Sequence, residues 1–168
     1  MNHQPDRQRV VLVVDDDRVG RESLAEAVAE MGHRALDAPN GLAALSLLEQ
    51  ESVDLVLTDL RMPDMDGIEL LDHIKRRDPT IFVILVTAYA TVNTAVEAMR
   101  KGAFNYIMKP IDLEQVKAQL EAALRARDLL LENISLRQKV ESLSTTPELV
   151  GRSAPMKAVL DLIAQVAD

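Results

Sequence analysis

Val10-Val11-Leu12-Val13-Val14-Asp15-Asp16-Asp17 joins five consecutive apolar residues, four of them β-branched, to three consecutive carboxylates. A run this short and this rich in valine reads as a strand, and apolar side chains on both of its faces read as burial on both sides. Working outward, the same kind of run recurs at His33–Asp37 (the weakest), Val53–Thr58, Ile81–Val86 and Phe104–Met108. Between the runs, apolar residues fall at helical spacing: Val19, Leu24, Val28 and Met31; Leu42, Leu45 and Leu48; Ile68, Leu71 and Ile74; Val92, Val96 and Met99. Gly32 and Gly102 stand just past two of these segments, where a helix favours a left-handed residue, and Pro79 follows a third. Alternating strands and helices give an α/β fold with a doubly wound parallel sheet, and right-handed crossovers limit its topology. The predicted strand order is 2-1-3-4-5.

The composition narrows the function. The chain has 168 residues, 48% hydrophobic and 27% charged, which suits a packed globular domain rather than a disordered one. Lys+Arg 19 against Asp+Glu 27 gives 19 − 27 = −8, a balance that disfavours wrapping a phosphate backbone. Aromatic content of 2% with no Trp disfavours base stacking, and zero Cys excludes disulfides, a thiolate nucleophile and cysteine-type zinc sites. No apolar stretch is long enough to span a bilayer, and the polar N-terminus does not read as a secretory signal, so a cytoplasmic location and no membrane partner are expected.

After Pro110 the pattern changes. Between Leu113 and Leu143 there is neither Gly nor Pro, and apolar residues recur at heptad-like spacing in two offset stretches. One comprises Leu113, Val116, Leu120, Leu124, Leu131 and Ile134, interrupted by Arg127; the other comprises Leu136, Val140 and Leu143. A helix of ~30 residues extends ~45 Å, more than one small sheet covers. Its outer half is therefore expected to form a coiled-coil seam with a second copy, through Leu120, Leu124, Leu131 and Ile134, and a cut near Arg125 is expected to leave a mostly monomeric domain; the alternative is a helix that simply packs on its own sheet and ends near Arg127.

Ligands of open α/β sheets bind beyond the C-terminal strand ends, where the strand order reverses. Here the first strand ends in Asp15, Asp16 and Asp17, and the third ends in Thr58 and Asp59. Carboxylates gathered at one edge repel one another without a cation, and an all-oxygen set suits Mg²⁺. The fourth strand leads to Thr87 and the fifth to Lys109 and Pro110, adding a hydroxyl and an ammonium. Together these groups can support phosphoryl transfer. Taken singly, Asp17 suits a helix N-cap, Asp64, Asp66 and Gly67 suit a turn and cap, and Thr87 and Lys109 suit a strand end and a solvated charge.

Four segments resemble the receiver domain of two-component response regulators: Val13–Asp17, Thr58-Asp59-Leu60-Arg61-Met62-Pro63-Asp64-Met65-Asp66-Gly67, Val86-Thr87-Ala88 and Tyr106-Ile107-Met108-Lys109-Pro110. The resemblance implies a flavodoxin-like (βα)5 fold and Asp59 as acceptor of a phosphoryl group from a sensor histidine kinase. It implies Mg²⁺ held by Asp16, Asp59 and the backbone carbonyl of Arg61, with Asp15 acting through water. It further implies Lys109 paired with the carboxylate and phosphoryl oxygens, a cis bond to Pro110, and Thr87 and Tyr106 as the pair that moves on phosphorylation. The expected homodimer uses the linker helix and the face built by the fourth helix, fifth strand and fifth helix.

Pro147–Lys157 and Ile163–Ala167 resemble the first helix of the central ATPase domain of σ54-dependent, NtrC-family transcriptional activators. No Gly-x-x-x-x-Gly-Lys loop or helix-turn-helix follows, so the expected role is regulatory rather than enzymatic, with ATPase activity, σ54-RNA polymerase and DNA engaged through other domains. The expected organisation is a disordered segment over 1–8, a receiver over 9–127, a coiled-coil linker over 128–145 and the start of the ATPase over 146–168. The rival reading is a Mg²⁺-dependent phosphatase with Asp15 as nucleophile and Asp17 two residues on. Such enzymes usually carry Thr two residues past the second Asp, where this chain has Val19, and no insertion is long enough for a cap domain.

Overall fold

The computed structural model describes residues 8–144, so the expectations for residues 1–7 and 145–168 lie outside the described residues. The elements run β1 (Val10–Val14), α1 (Arg18–Glu30), β2 (Arg34–Ala38), α2 (Gly41–Gln50), β3 (Leu55–Thr58), α3 (Gly67–Arg77), β4 (Phe82–Thr87), α4 (Val92–Arg100), β5 (Asn105–Met108) and α5 (Leu113–Ser144). All pairings are parallel and the order is β2-β1-β3-β4-β5, as predicted.

Strand periodicity divides the core in two. Val11, Val13, Leu55, Leu57, Ile84 and Val86 face α1 and α5, where Leu24, Val28, Val116 and Leu120 meet them. Leu12, Val14, Val56, Val83 and Leu85 face the other way and pack with Ala44 and Leu48 of α2, Leu71 and Ile74 of α3 and Ala98 of α4. Successive side chains alternate faces, so an unbroken apolar strand feeds both layers of helices.

Helix ends follow local chemistry. Asp17, Asn40, Asp66 and Thr91 cap α1 to α4, and Asp66 with Glu69 forms a reciprocal capping box. Gly32 and Gly102 adopt φ of 81° and 93°, the left-handed conformation that their positions after α1 and α4 require. Strand limits shift by one or two residues: β2 and β4 lie one residue later than predicted, and β3 begins at Leu55. Val53 is buried without being in the ladder, because the Asp54 carboxylate takes the Val10 amide at 2.8 Å before pairing begins.

Two features of α5 correct the sequence reading. Leu120 and Leu124 do not lie on an exposed seam: they are 0% and 7% exposed and pack on the sheet with Val116 and Ala123. Arg127 does not merely interrupt a heptad. Its guanidinium pairs with Asp54 and donates to the Thr80 carbonyl at 3.0 Å, while the neighbouring Asp128 takes both of its bonds from Arg9 at 2.7 Å. The chain divides into two compact units between Asp128 and Leu129. In the second unit Leu129, Ile134 and Leu136 are exposed. Among the described residues no helix is long and apolar enough to cross a membrane.

Candidate functional site

Three of the five parallel strands, β1, β3 and β5, deliver a functional residue just beyond their last pairing, while Thr87 closes the β4 ladder itself. Past β1 the Asp15 amide still reaches the Ala38 carbonyl at 3.2 Å, past β3 the Asp59 amide reaches the Val14 carbonyl at 2.9 Å, and past β5 the Lys109 amide reaches the Thr87 carbonyl at 2.8 Å. The rungs hold these residues side by side at one edge, as the strand order requires. Lys109 Nζ donates to Asp15 Oδ2 at 2.7 Å and to Asp59 Oδ2 at 3.1 Å. The Lys109–Pro110 peptide is cis.

The two buried carboxylates are held differently. Asp15 is 1% exposed, with Oδ1 accepting from the Asp17 amide at 2.9 Å and Oδ2 from Lys109. Asp59 is 8% exposed, with Oδ1 accepting from the Leu60 amide at 2.6 Å and, at a longer 3.4 Å, from the Arg61 amide. Asp16 is exposed, and among the described residues no protein donor reaches its carboxylate. One oxygen from each of Asp15, Asp16 and Asp59 lies within 4.8 Å of the others, so the three aspartates can share a hard cation. Three carboxylates against one ammonium leave the cluster negative, and Mg²⁺ fits both its charge and its all-oxygen donor set. Burial by itself pushes the Lys109 ammonium down; its hydrogen bonds to Asp15 and Asp59 outweigh this and hold it above the ordinary lysine value. A raised pKa means the pairing stabilises the fold at neutral pH and is lost only as the pH climbs above the unfolded lysine value of 10.5.

Thr87 is fully buried, and its Oγ1 accepts from the Tyr89 amide at 3.1 Å. Tyr106 is half-buried against the α2–α4 layer, its hydroxyl 2.9 Å from Thr94 Oγ1. Asp17 and Asp66 are caps, Asp64 occupies a turn at φ 68°, and neither Asp17 nor Asp64 joins the carboxylate cluster.

The sequence reading missed the contacts of three side chains, Arg61, Tyr89 and Arg21. The Arg61 guanidinium lies 4.2 Å above the Tyr89 ring, linking the loops after Asp59 and after Thr87. Nothing in the local pattern announces that pair. Arg21 donates to the Asp15 carbonyl at 2.6 Å, and its position one turn past the Asp17 cap was the available signal.

Gly67, read only as a turn residue, has a sharper role. A Cβ there would stand 2.2 Å from the Asp59 carbonyl oxygen and 3.0 Å from Leu60 Cα. Gly67→Ala should therefore cost about 2–3 kcal/mol, because backbone rather than a flexible side chain must yield. Urea melts of Gly67→Ala against wild type measure it; an unchanged midpoint would show that α3 can withdraw freely.

Mg²⁺ should raise the melting temperature by about 3–6 °C at ten times its Kd, the thermal equivalent of about 1.4 kcal/mol. Asp16→Ala should remove the shift. A wild-type melting curve indifferent to millimolar Mg²⁺ would contradict the assignment.

Comparison with known proteins agrees with this geometry. The family model described as the response regulator receiver domain matches residues 11–121. The transcriptional regulatory protein ZraR of Klebsiella oxytoca is 40% identical over 157 residues, covering 94% of this chain and 34% of its own length. The chain thus spans about a third of the length of the curated relatives it matches. Among solved structures, NtrX of Brucella abortus in complex with ADP aligns with a TM-score of 0.74 at 30% identity, covering 96% of this chain and 34% of that one. The beryllofluoride-activated NtrC4 receiver domain dimer aligns with a TM-score of 0.68 at 31% identity, covering 70% of this chain and 98% of that one. With the strand order, the carboxylate cluster and the bridging lysine all in place, the chain belongs to the response regulator receiver domain family.

Proposed function

We propose that the chain is a phosphorylation-controlled regulatory module, in which Asp59 accepts a phosphoryl group from a phosphohistidine of a sensor kinase. The observation that carries this reading is Lys109 bridging Asp15 and Asp59 at an edge shared by three carboxylates. In the transfer, an Asp59 carboxylate oxygen attacks phosphorus, the phosphorus–nitrogen bond breaks, and the imidazole leaves. Bound Mg²⁺ would supply charge neutralisation of the transferring group, with Asp16, Asp59 and the Arg61 carbonyl holding it and Asp15 acting through water. Lys109 offsets the charge that accumulates on the phosphoryl oxygens. The product is an acyl phosphate that stays on the chain, so the module is a switch rather than an enzyme with turnover.

Phosphorylation adds nearly two negative charges and new acceptors beside Thr87. The Thr87 hydroxyl then exchanges the Tyr89 amide for a phosphoryl oxygen, and Tyr106 leaves Thr94 and moves inward. The surface that responds is built from α4, β5 and α5, where Val92, Val96, Met99, Met108 and Leu113 are exposed. That surface and the second part of α5 are the proposed contacts of a homodimer. The long relatives, named as transcriptional regulators, support a place in a transcriptional regulator; the σ54-dependent class, with σ54-RNA polymerase and DNA engaged through other domains, and a cytoplasmic location are proposed from the sequence resemblance.

Incubation with acetyl phosphate and Mg²⁺, followed by mapping of the modified residue, tests the function. Label on Asp59 is expected; label on Asp15 would favour the phosphatase reading instead. For assembly, Leu131→Asp with Ile134→Asp should weaken a micromolar dimer at least tenfold, since each buried side chain of this size contributes about 2 kcal/mol. Sedimentation equilibrium reads the result, and an unchanged dimer would remove the helix from the interface.

A further inference from the structure

Asp16 is the least supported member of the cluster. Asp15 has both carboxylate oxygens engaged and Asp59 is held by Lys109 and backbone amides, whereas Asp16 is exposed and lacks a donor among the described residues. Its direction depends on the backbone that carries it. The carbonyl of Asp15, the amide of Asp16 and the Asp16 Cα share one rigid peptide plane, so whatever fixes that carbonyl aims Asp16.

The sheet does not fix it. The ladder on this side ends with the Asp59 amide on the Val14 carbonyl, one residue earlier. Arg21 takes over, its Nη1 donating to the Asp15 carbonyl at 2.6 Å. Arg21 is itself secured twice. Its amide reaches the Asp17 carbonyl at 3.0 Å, and its Nε reaches Asp37 Oδ2 at 3.1 Å at the end of β2. Only 12% of its side chain is exposed. A planar guanidinium with donors in fixed directions can grip a carbonyl and a carboxylate together and hold a defined geometry between them.

We propose that Arg21 is a positioning residue for cation binding, acting through the Asp15–Asp16 peptide plane to aim the Asp16 carboxylate. The proposal rests on the reading of the carboxylate cluster as a Mg²⁺ site. Charge and position pull in opposite directions here. Removing a positive charge near an acidic cluster favours a cation, whereas releasing the Asp16 backbone disfavours it. The sign of the change therefore separates the two roles.

The full chain is titrated with MgCl₂ at physiological salt, following the Mg²⁺-induced thermal shift and, separately and below the melting temperature, acetyl phosphate labelling of Asp59. In Arg21→Gln the half-saturating Mg²⁺ concentration should rise about tenfold, as for other residues that orient metal ligands, and by more than the saturating labelling rate falls. Arg21→Lys, which keeps a donor in reach of the carbonyl, should recover most of the difference. Asp37→Asn loosens the guanidinium but also removes a negative charge, so its expected rise of about two- to threefold supports the positioning role only where it persists in high salt, and on that condition it decides the matter if Arg21→Gln does not fold. A half-point that is unchanged or lowered, or a rise that vanishes in high salt, overturns the proposal. A wild-type chain without any Mg²⁺ response would instead overturn the underlying reading of the cluster.

Discussion

Asp59→Asn should abolish labelling by acetyl phosphate, whereas Asp15→Asn should only reduce it. Each aspartate has one oxygen on backbone amide and the other on Lys109, so the two differ in exposure, 1% against 8%, and in the length of the lysine contact. Asp15 is 1% exposed, and both oxygens are committed, one to the Asp17 amide and the other to Lys109. To act as nucleophile it would have to break the turn that starts α1. Asp59 keeps an oxygen facing Lys109 at the longer distance of 3.1 Å, beside the cation site, where an incoming phosphoryl group and the ammonium can meet. Asparagine at 59 preserves shape but removes the charge and the nucleophilic oxygen, so the loss should be complete. At 15 it weakens one lysine contact and one carboxylate of the cation site, which should slow labelling by about tenfold to a hundredfold. Mass-spectrometric mapping of both variants decides between them. Labelling that survives Asp59→Asn and disappears in Asp15→Asn would reverse the assignment.

The second large effect lies at the opposite end of the strands. Arg127→Ala should destabilise the first unit by about 2–3 kcal/mol, below the 3–5 kcal/mol typical of a fully buried pair because both partners retain some exposure. Arg127 and Asp54 are 12% and 19% exposed at their side chains. Without the guanidinium, Asp54 keeps only the Val10 amide and the Thr80 carbonyl loses its donor. The melting temperature should fall by about 5–10 °C. Arg125→Ala is the control: that side chain is 73% exposed and pairs with Glu121 at 3.6 Å, a contact of about 0.5 kcal/mol or less. Equal melting temperatures for the two variants would show that the Arg127 contacts contribute nothing. For the same reason a shortened domain should end at Asp128. A cut near Arg125 removes Arg127 together with the Asp128 partner of Arg9, and should lower stability at least as much as Arg127→Ala.

The fold was legible because its information is local and repeated. Each apolar run has to be buried on both faces, and the glycines and caps mark where helices stop and start. Asp15, Asp16, Asp59, Thr87 and Lys109 were legible for a related reason, since parallel strands bring their C-terminal ends to one edge whatever the loop details. Leu120 and Leu124 were misplaced because a heptad seam and a helix face on a sheet share the same spacing; only the sheet's extent distinguishes them. Arg127 and Gly67 were illegible in their roles, and Arg21 was signalled only by its place after the Asp17 cap, because their partners lie far along the chain or on backbone atoms. Thr80 is 47 residues from Arg127, and the Asp59 carbonyl carries no side-chain signature at all.

The separate latches on Thr87 and Tyr106 have a consequence for signalling fidelity. Each latch is one neutral hydrogen bond, Tyr89 amide to Thr87 and Tyr106 hydroxyl with Thr94, and each is worth about 1 kcal/mol net. If the proposed switch turns on these two bonds alone, opening both costs about 2 kcal/mol and an unmodified chain is expected in the switched arrangement about 3% of the time. Inverting those populations takes about 4 kcal/mol of preferential interaction, which two charge-assisted bonds to a phosphoryl group supply. On the proposed switching mechanism a weak basal output is expected, as the thermodynamic counterpart of a threshold low enough for a single phosphoryl group to cross.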